Sequence, residues 1–160
     1  RIPMNLAVLL VVLARALAPI TSDCVMIPPV EAPVIQPYAP AGQYGGHWGI
    51  DFAVPVGSAV VASDAGVVSF AGMVAGNRTV TVDHGGGLRS SYSYLSAISV
   101  GMGTPVGRGE KVGNSGVAHG TEAVHFSVRI HGSYVDPARL LDCHWPRMAA
   151  ALRLVPVSRD

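Results

Sequence analysis

The stretch Gly46-His47-Trp48-Gly49-Ile50-Asp51-Phe52-Ala53 decides how the rest of this sequence is interpreted. Side chains alternate between the two faces of a β-strand, so His47 and Asp51, four residues apart, are expected on the same face. An imidazole and a carboxylate can both bind a divalent metal ion, and Zn²⁺ accepts this mixture of ligands. The pair alone is a weak signal, because the spacing also occurs by chance. Another strand has to supply a further ligand.

A second candidate strand, Val124-His125-Phe126-Ser127-Val128, offers this ligand in His125. On the residues alone an alternative stays open, because a lone histidine in an alternating strand is more often a hydrogen-bonded core residue. Three protein ligands with an open fourth position would be typical of a catalytic zinc site, whereas four protein ligands close a structural site.

The composition excludes several classes of protein and predicts an all-β body. Of the 160 residues, 49% are hydrophobic and 13% are charged, which excludes an ordinary disordered chain. The formal net charge is +1 and no run concentrates basic residues, so we expect no nucleic-acid partner. The 24 valines occur in runs broken by 19 glycines and 12 prolines, which predicts many short strands and tight turns.

Strand candidates cover most of the central region. They are residues 50–54, 59–63, 66–71, 79–83, 88–95 and 124–130. Gly85-Gly86-Gly87 is expected to form a hairpin turn between two of them. Asp136-Pro137 supplies a cap and a first-turn proline for a short helix that ends at Leu141. By strand alternation, Tyr92 is expected to share a face with Tyr94 and to line the same groove.

A short internal repeat predicts that the central region is built from two related units. Val56-Gly57-Ser58-Ala59-Val60 is similar to Gly103-Thr104-Pro105-Val106, and each segment is followed by a second glycine turn and another valine. Two related hairpin units that wrap around each other would form a compact β sandwich or barrel.

The N-terminal segment is expected to be an export signal. Residues 4–14 form a run of 11 that is apolar except for Asn5, and it is shorter than the roughly 18 residues needed to cross a bilayer. Ala16-Leu17-Ala18 is typical of a cleavage site, so residues 1–18 are predicted to be a signal peptide. The mature protein would then be secreted, extracellular or in the cell wall, with no membrane span. The alternative for the N-terminal segment is a buried core helix. Residues 19–45 follow as a proline-rich arm, with an edge strand near residues 34–38.

Export would also explain the two cysteines. In an oxidising compartment Cys24 and Cys143, the latter in a C-terminal tail of residues 142–160, are expected to form a disulfide. Two unpaired thiols are the alternative. Neither cysteine has a C-x-x-C neighbour, which argues against a thiolate metal site.

Residues 46–141 resemble the lysostaphin/LytM-type zinc metalloendopeptidases, which are secreted peptidoglycan hydrolases. The first stretch quoted above is similar to the family motif G-H-x-G-x-D-[FL]-A, and Asp83-His84-Gly85-Gly86-Gly87-Leu88 is similar to its H-G-x-G-L hairpin. Val124-His125-Phe126 resembles its closing strand. The resemblance implies a peptidase-like domain over residues 46–141. Its fold would be a compact antiparallel β barrel or sandwich of the duplicated barrel-sandwich hybrid type, with a short C-terminal helix.

The resemblance also implies the metal ligands. The family binds zinc through the histidine and aspartate of its first motif and through the second histidine of an H-x-H motif. These positions correspond to His47, Asp51 and His125, so the implied cofactor is Zn²⁺.

Two catalytic histidines of the family have no counterpart in this sequence. The first histidine of H-x-H falls at Ala123, and the histidine of Y-x-H-L falls at Tyr94. A general base contributes about 10²–10⁴-fold and an oxyanion donor about 10²–10³-fold, so we expect activity below that of a complete family member. Tyr94 keeps a hydroxyl that could donate to an oxyanion, and His119 or Glu122 could reach in as a base. A packed aromatic and a solvated loop histidine are the alternatives.

Three functions are compatible with these residues. The first is a secreted zinc metalloendopeptidase-like protein that acts on peptide bonds of peptidoglycan or its peptide stems. The second is a catalytically impaired, peptidoglycan-binding regulator of other cell-wall hydrolases. The third is a carrier domain, which needs a modifiable lysine at an exposed hairpin tip. The sole lysine, Lys111, lies in a glycine-rich turn, so the first two functions are favoured.

Overall fold

The computed structural model describes residues 25–43 and 45–141 of the 160-residue chain. The predicted signal peptide, Cys24, Cys143 and the C-terminal tail lie outside the described residues, so the export signal and the disulfide stay predictions. Within the described part of the chain, no helix is long and apolar enough to span a membrane.

Short and medium strands account for most of the described residues. In chain order they are β1 (Val34–Gln36), β2 (Ala39–Ala41), β3 (Gly45–His47), β4 (Ile50–Ala53), β5 (Ala59–Val61), β6 (Gly66–Val74), β7 (Asn77–Gly85), β8 (Leu88–Ile98), β9 (Pro105–Val106), β10 (Lys111–Ala118), β11 (Thr121–Ile130) and β12 (Ser133–Val135). One helical turn, α1 (Ala138–Leu141), follows them. The carboxylate of Asp136 accepts the backbone N–H of Ala138 at 3.0 Å, which confirms the predicted cap.

Ten of these strands form one antiparallel sheet. Its order is β1-β4-β11-β10-β8-β7-β6-β9, with β5 added beside β10 and β12 added beside β11, while β2 and β3 form a separate pair. The all-β, antiparallel prediction is therefore confirmed. Among the described strands, β1 and β9 at the two ends of the order do not pair with each other, so the sheet is not a closed barrel.

Four hairpins close through two-residue turns in which both residues have positive φ. They are Ala75-Gly76, Gly86-Gly87, His119-Gly120 and His131-Gly132. This conformation is that of type I′ turns, whose twist matches the right-handed twist of the flanking strands. The predicted triple-glycine hairpin is confirmed. A histidine at the first turn position projects from the sheet at two of the four hairpins.

The internal repeat produces an exchange of short strands between two units. β5 pairs with β10 and β9 pairs with β6, so each short strand lies beside the long strand of the other unit. The hydrogen bonds correspond as well. The N–H of Val68 donates to the carbonyl of Thr104 at 2.9 Å, and the N–H of Ser115 donates to the carbonyl of Ser58 at 2.9 Å. The expectation that two hairpin units wrap around each other is confirmed.

The core lies on one face of the central strands, and it includes Tyr92. Tyr92 and Leu95 are 0% and 4% exposed, and the Tyr92 hydroxyl accepts the N–H of Ser63 at 2.7 Å. The expectation that Tyr92 lines a groove with Tyr94 is wrong. Strand β8 has one extra residue between these two core positions, because Tyr92 and Leu95 pair with residues only two apart on β7. This bulge breaks the alternation and turns Tyr94 away from the core.

Candidate metal centre

Neighbouring strands bring His47, Asp51 and His125 to one point on the face opposite the core. Strands β4 and β11 are antiparallel neighbours in which Asp51 pairs directly with His125. Val124 and Phe126 are both 0% exposed in the core, so alternation turns His125 to the other face. His47 ends β3, just before the turn into β4.

The ligand atoms of these three side chains are close to one another. Nε2 of His47 lies 3.1 Å from Oδ1 of Asp51 and 3.0 Å from Nδ1 of His125. Nδ1 of His125 lies 2.7 Å from the same oxygen of Asp51. Ligands on a tetrahedral zinc ion at about 2.0–2.1 Å stand about 3.3 Å apart, so these atoms have nearly the spacing that the ion requires.

The hydrogen bonding of His47 leaves its other nitrogen free for a metal ion. Nδ1 of His47 lies 2.8 Å from the carbonyl oxygen of Pro37, and since a carbonyl can only accept, Nδ1 donates. In the neutral ring Nε2 then carries a lone pair, which faces the carboxylate of Asp51. Two acceptors that face each other repel unless a cation or a proton lies between them. The donor set therefore fits a metal ion held by an oriented imidazole.

Asp51 supplies the negative charge of the cluster although it is only 2% exposed. Burial alone would raise the pKa of its carboxyl group. The hydrogen bond and charge of His125, together with the charges of His47 and His119, outweigh burial and hold this pKa below its ordinary value. The carboxyl group is therefore ionised at neutral pH, as a metal ligand has to be.

A fourth group, His119, reaches the cluster from the β10–β11 turn. Its φ of 52° is the left-handed conformation that the type I′ turn requires. Its Nε2 lies 3.7 Å from Oδ2 of Asp51, and its ring centroid is 5.6 Å from that of His47. The candidate ligand atoms of His47, Asp51, His119 and His125 all lie within 4.8 Å of one another. The His119 side chain is 43% exposed, so it stands on the solvent side of the cluster.

Tyr94 lies beside His119 because strand β8 changes partners at this residue. Residues 88–93 pair with β11, whereas residues 95–98 pair with β10. At the junction Tyr94 has a φ of 61°, a conformation that costs about 1–2 kcal/mol in a residue with a Cβ. Its ring centroid lies 4.9 Å from that of His119 and 6.2 Å from that of His125. Strained residues of this kind cluster at functional sites, which makes Tyr94 a candidate site residue.

Ala123 and Glu122 add no polar group to the cluster. Ala123 shares the site face of β11 with His125 by alternation, but it is a methyl group that is 1% exposed. Glu122 is exposed and is not among the four clustered residues in the described part of the chain. Of the two alternative replacement bases that the sequence offers, His119 lies in the cluster and Glu122 does not.

The part of the chain that carries these residues matches a known family. The sequence profile of Peptidase family M23 matches residues 45–137, which is more than half of the chain. The chain belongs to peptidase family M23. The resemblance to the lysostaphin/LytM-type peptidases is thereby confirmed, while the role of each clustered residue stays a prediction.

Three relatives show how far the M23 likeness extends. DD-carboxypeptidase/endopeptidase Mpg of Neisseria meningitidis serogroup B is 39% identical over 95 residues, which cover 57% of this chain and 22% of that protein. A putative peptidase M23 from Pseudomonas aeruginosa has a TM-score of 0.64 at 35% identity, over 75% of this chain and 51% of that one. The catalytic domain of the antimicrobial peptidase lysostaphin from Staphylococcus simulans has a TM-score of 0.57 at 28% identity, over 66% of this chain and 86% of that domain. The chain thus matches about a fifth of the length of its Neisseria relative.

Gly49 gives the imidazole of His125 its space in this M23 site. A Cβ at Gly49 would lie 2.6 Å from Nε2 of His125 and 2.5 Å from the carbonyl oxygen of Phe126. We expect Gly49→Ala to displace His125, to weaken metal affinity and to lower the free energy of unfolding by about 1–3 kcal/mol, measured by urea denaturation. Gly101→Ala is the matched control, because a Cβ there meets only the Thr104 hydroxyl at 3.8 Å. Equal effects of the two substitutions would contradict this role of Gly49.

Proposed function

We propose that this protein is a zinc-dependent endopeptidase that cleaves peptide bonds in peptidoglycan. The observation that carries the proposal is the convergence of His47, Asp51, His125 and His119, whose ligand atoms lie within 4.8 Å of one another. Membership of peptidase family M23 and the DD-carboxypeptidase/endopeptidase activity for which the Neisseria relative is named support the substrate class. The predicted export signal would give the protein access to the cell wall.

In this proposal His47, Asp51 and His125 hold one zinc ion. His47 would bind through Nε2, since its Nδ1 donates to Pro37, and His125 through Nδ1, which faces the same carboxylate oxygen. When bound, zinc supplies Lewis acidity toward a carbonyl oxygen and lowers the pKa of water to about 7. The ionised Asp51 would offset part of the charge of the ion, and the carbonyl of Pro37 orients the imidazole of His47.

His119 is the proposed general base. It is the most exposed member of the cluster, at 43%, and it stands on the side from which water and substrate arrive. Its position 3.7 Å from Oδ2 of Asp51 allows the carboxylate to stabilise the imidazolium that forms when His119 accepts a proton from the attacking water. The ring then returns this proton to the leaving amine.

Tyr94 is the proposed hydrogen-bond donor to the developing oxyanion. We expect Tyr94→Phe to lower kcat by about 10–10³-fold with little change in KM, because the hydroxyl acts mainly in the transition state. Steady-state cleavage of a cross-linked peptide measures both constants. Tyr38→Phe is the control, because it removes a hydroxyl that bonds to the carbonyl of Tyr134 at 3.4 Å. A Tyr94→Phe enzyme with unchanged kcat would exclude this role.

The direct test of the proposed function is zinc-dependent release of soluble fragments from purified peptidoglycan. Wild-type protein loaded with zinc should release amines and fragments, and chelation should stop the release. The expectation of activity below that of a complete family member stays a prediction, and the same assay measures it against lysostaphin.

A second candidate function is a catalytically impaired regulator that binds peptidoglycan. The buried methyl group of Ala123, where the family places a histidine, favours it. Co-sedimentation with peptidoglycan without any zinc-dependent release of fragments would support the regulator and would exclude the endopeptidase.

A further inference from the structure

A groove of about 550 Å³ begins at His125 and runs along strands β6, β7, β8 and β11. Hydroxyl side chains form much of its floor: Thr79, Thr81, Ser91, Ser93 and Ser127. Pairs of these hydroxyls are in contact across strands, at 3.1 Å for Thr79 and Ser93 and 2.9 Å for Thr81 and Ser91. The floor of the groove is therefore lined with paired hydroxyl groups along three strands, and a polar, extended ligand suits such a floor.

The cross-strand register orders the groove into rows. His125 pairs with Ser93, Ser127 pairs with Ser91, and Arg129 pairs with Arg89. The opposite faces of the same strands carry core residues such as Tyr92 and Phe126, so all these side chains share the groove face. A strand rises about 3.3 Å per residue, which places the backbone of the arginine row about 13 Å from that of the His125 row.

The arginine row carries an unbalanced positive charge. Two like charges directly opposite each other on neighbouring strands destabilise a sheet. Arg89 is neutralised by Asp83, with Nε of Arg89 2.9 Å from Oδ2 of Asp83. Within residues 25–43 and 45–141, no carboxylate pairs with Arg129, whose guanidinium stands 5.3 Å from the centroid of the Tyr134 ring. The Tyr134 ring thus packs against Arg129 in the groove, and Asp83 pairs with Arg89. Among the described residues the positive charge of Arg129 has no carboxylate partner.

We propose that Arg129 binds a carboxylate of the peptide substrate and so selects acidic peptides. The inference rests on the proposed function, because it places this carboxylate in the groove that leads to the metal centre. An extended peptide advances about 3.3–3.6 Å per residue, and the arginine side chain covers part of the 13 Å, so the carboxylate lies about two to four residues from the cleaved bond. A planar guanidinium can bind a carboxylate with two parallel hydrogen bonds, and the Tyr134 ring orients it.

The test compares three forms of a synthetic peptidoglycan stem tetrapeptide on the zinc-loaded full chain. One form has all carboxylates free, one has its C-terminal carboxylate amidated, and one has its side-chain carboxylate amidated. Kd is measured by calorimetry, or kcat/KM where mass spectrometry shows that the peptide is cleaved. We expect the free form to be favoured about 10–100-fold over at least one amidated form, which then identifies the carboxylate that binds.

Substitutions connect this preference to Arg129. We expect Arg129→Gln to reduce the preference for the free carboxylate below about threefold. Arg129→Lys should retain part of this preference, because lysine keeps the positive charge but cannot donate the two parallel hydrogen bonds of a guanidinium. Arg78→Gln should retain all of it, since Arg78 is an exposed arginine of β7 outside the groove lining. Equal affinity of wild-type protein for all three peptides, or an undiminished preference in Arg129→Gln, would overturn the inference.

The outcomes separate this inference from the proposed function. Zinc-dependent hydrolysis without any preference for the free peptide would remove the carboxylate site and leave the endopeptidase. A preference that depends on Arg129, in a protein that hydrolyses no peptidoglycan, would retain the carboxylate site and exclude the endopeptidase.

Discussion

Replacing Asp51 with asparagine will remove metal binding and peptidase activity together. The carboxylate is ionised, buried, and in contact with the ligand nitrogens of His47 and His125 at 3.1 and 2.7 Å. An amide of the same size has no charge and presents an NH2 group, with two N–H donors, or a neutral carbonyl oxygen to the imidazole nitrogens. Substituting a residue that only orients a metal ligand weakens metal affinity by about 10–100-fold. Substituting the ligand itself should therefore weaken zinc affinity by more than about 100-fold. Zinc affinity is measured by competition with a chromogenic chelator, and activity by fragment release.

Asp64→Asn is the control for this substitution. Asp64 is also paired with a cation, since its Oδ1 lies 3.0 Å from Nε of Arg108, but it lies outside the metal cluster. It should retain zinc and activity. An Asp51→Asn protein that still binds one equivalent of zinc at wild-type affinity would exclude Asp51 as a ligand.

Replacing His119 with asparagine is expected to lower kcat by about 10²–10⁴-fold while zinc stays bound. Asparagine is chosen because it accepts the positive φ of 52° at this turn position more readily than alanine does. The folded hairpin should therefore persist without the base. Zinc content by mass spectrometry and kcat on a cross-linked peptide separate the effects on binding and on catalysis.

Glu122→Gln is the control for His119. Glu122 is exposed near the same turn and outside the cluster, so its substitution should leave kcat within about twofold of wild type. A loss of zinc in the His119→Asn protein would instead make His119 a fourth ligand, and the proposed base would be wrong.

The residues around the metal centre show how far sequence reasoning reaches. Alternation predicts that His47 and Asp51 share one strand face, whereas in the structure His47 ends β3 and Asp51 lies in β4, in separate sheets. The bend at residues 48–49 joins these two strands and brings both side chains to His125, so alternation along one strand does not place them. His119 is one of two polar residues, with Glu122, that the sequence offers as a base from this loop. Only the two-residue turn before β11 decided that its ring lies over Asp51.

Strand β10 was missed for a physical reason. Residues 111–118 contain glycines at 113 and 116, which are poor strand formers and suggested a loop. In the structure these glycines allow close contact between backbones. A Cβ at Gly113 would lie 2.5 Å from the carbonyl oxygen of Ala97, and a Cβ at Gly116 would lie 2.4 Å from the carbonyl oxygen of Tyr94. The close contact is with strand β8, whose residues are distant in the sequence, so the local pattern of residues 111–118 does not predict it.

The sequence by itself determined the all-β class, the triple-glycine turn and the wrapping of the repeated units, and its family motifs supplied the candidate ligands, because each of these signals is contained in short segments of the chain. The tertiary structure decided which side chains complete the site. Strand β8 leaves β11 and joins β10 at Tyr94, and this change of partner creates the bulge that turns Tyr94 toward His119 and leaves Tyr92 in the core. The register of β8 against β11 likewise sets Arg129 opposite Arg89. Pairing between distant strands is a property of the whole sheet, so a local period of two cannot specify it.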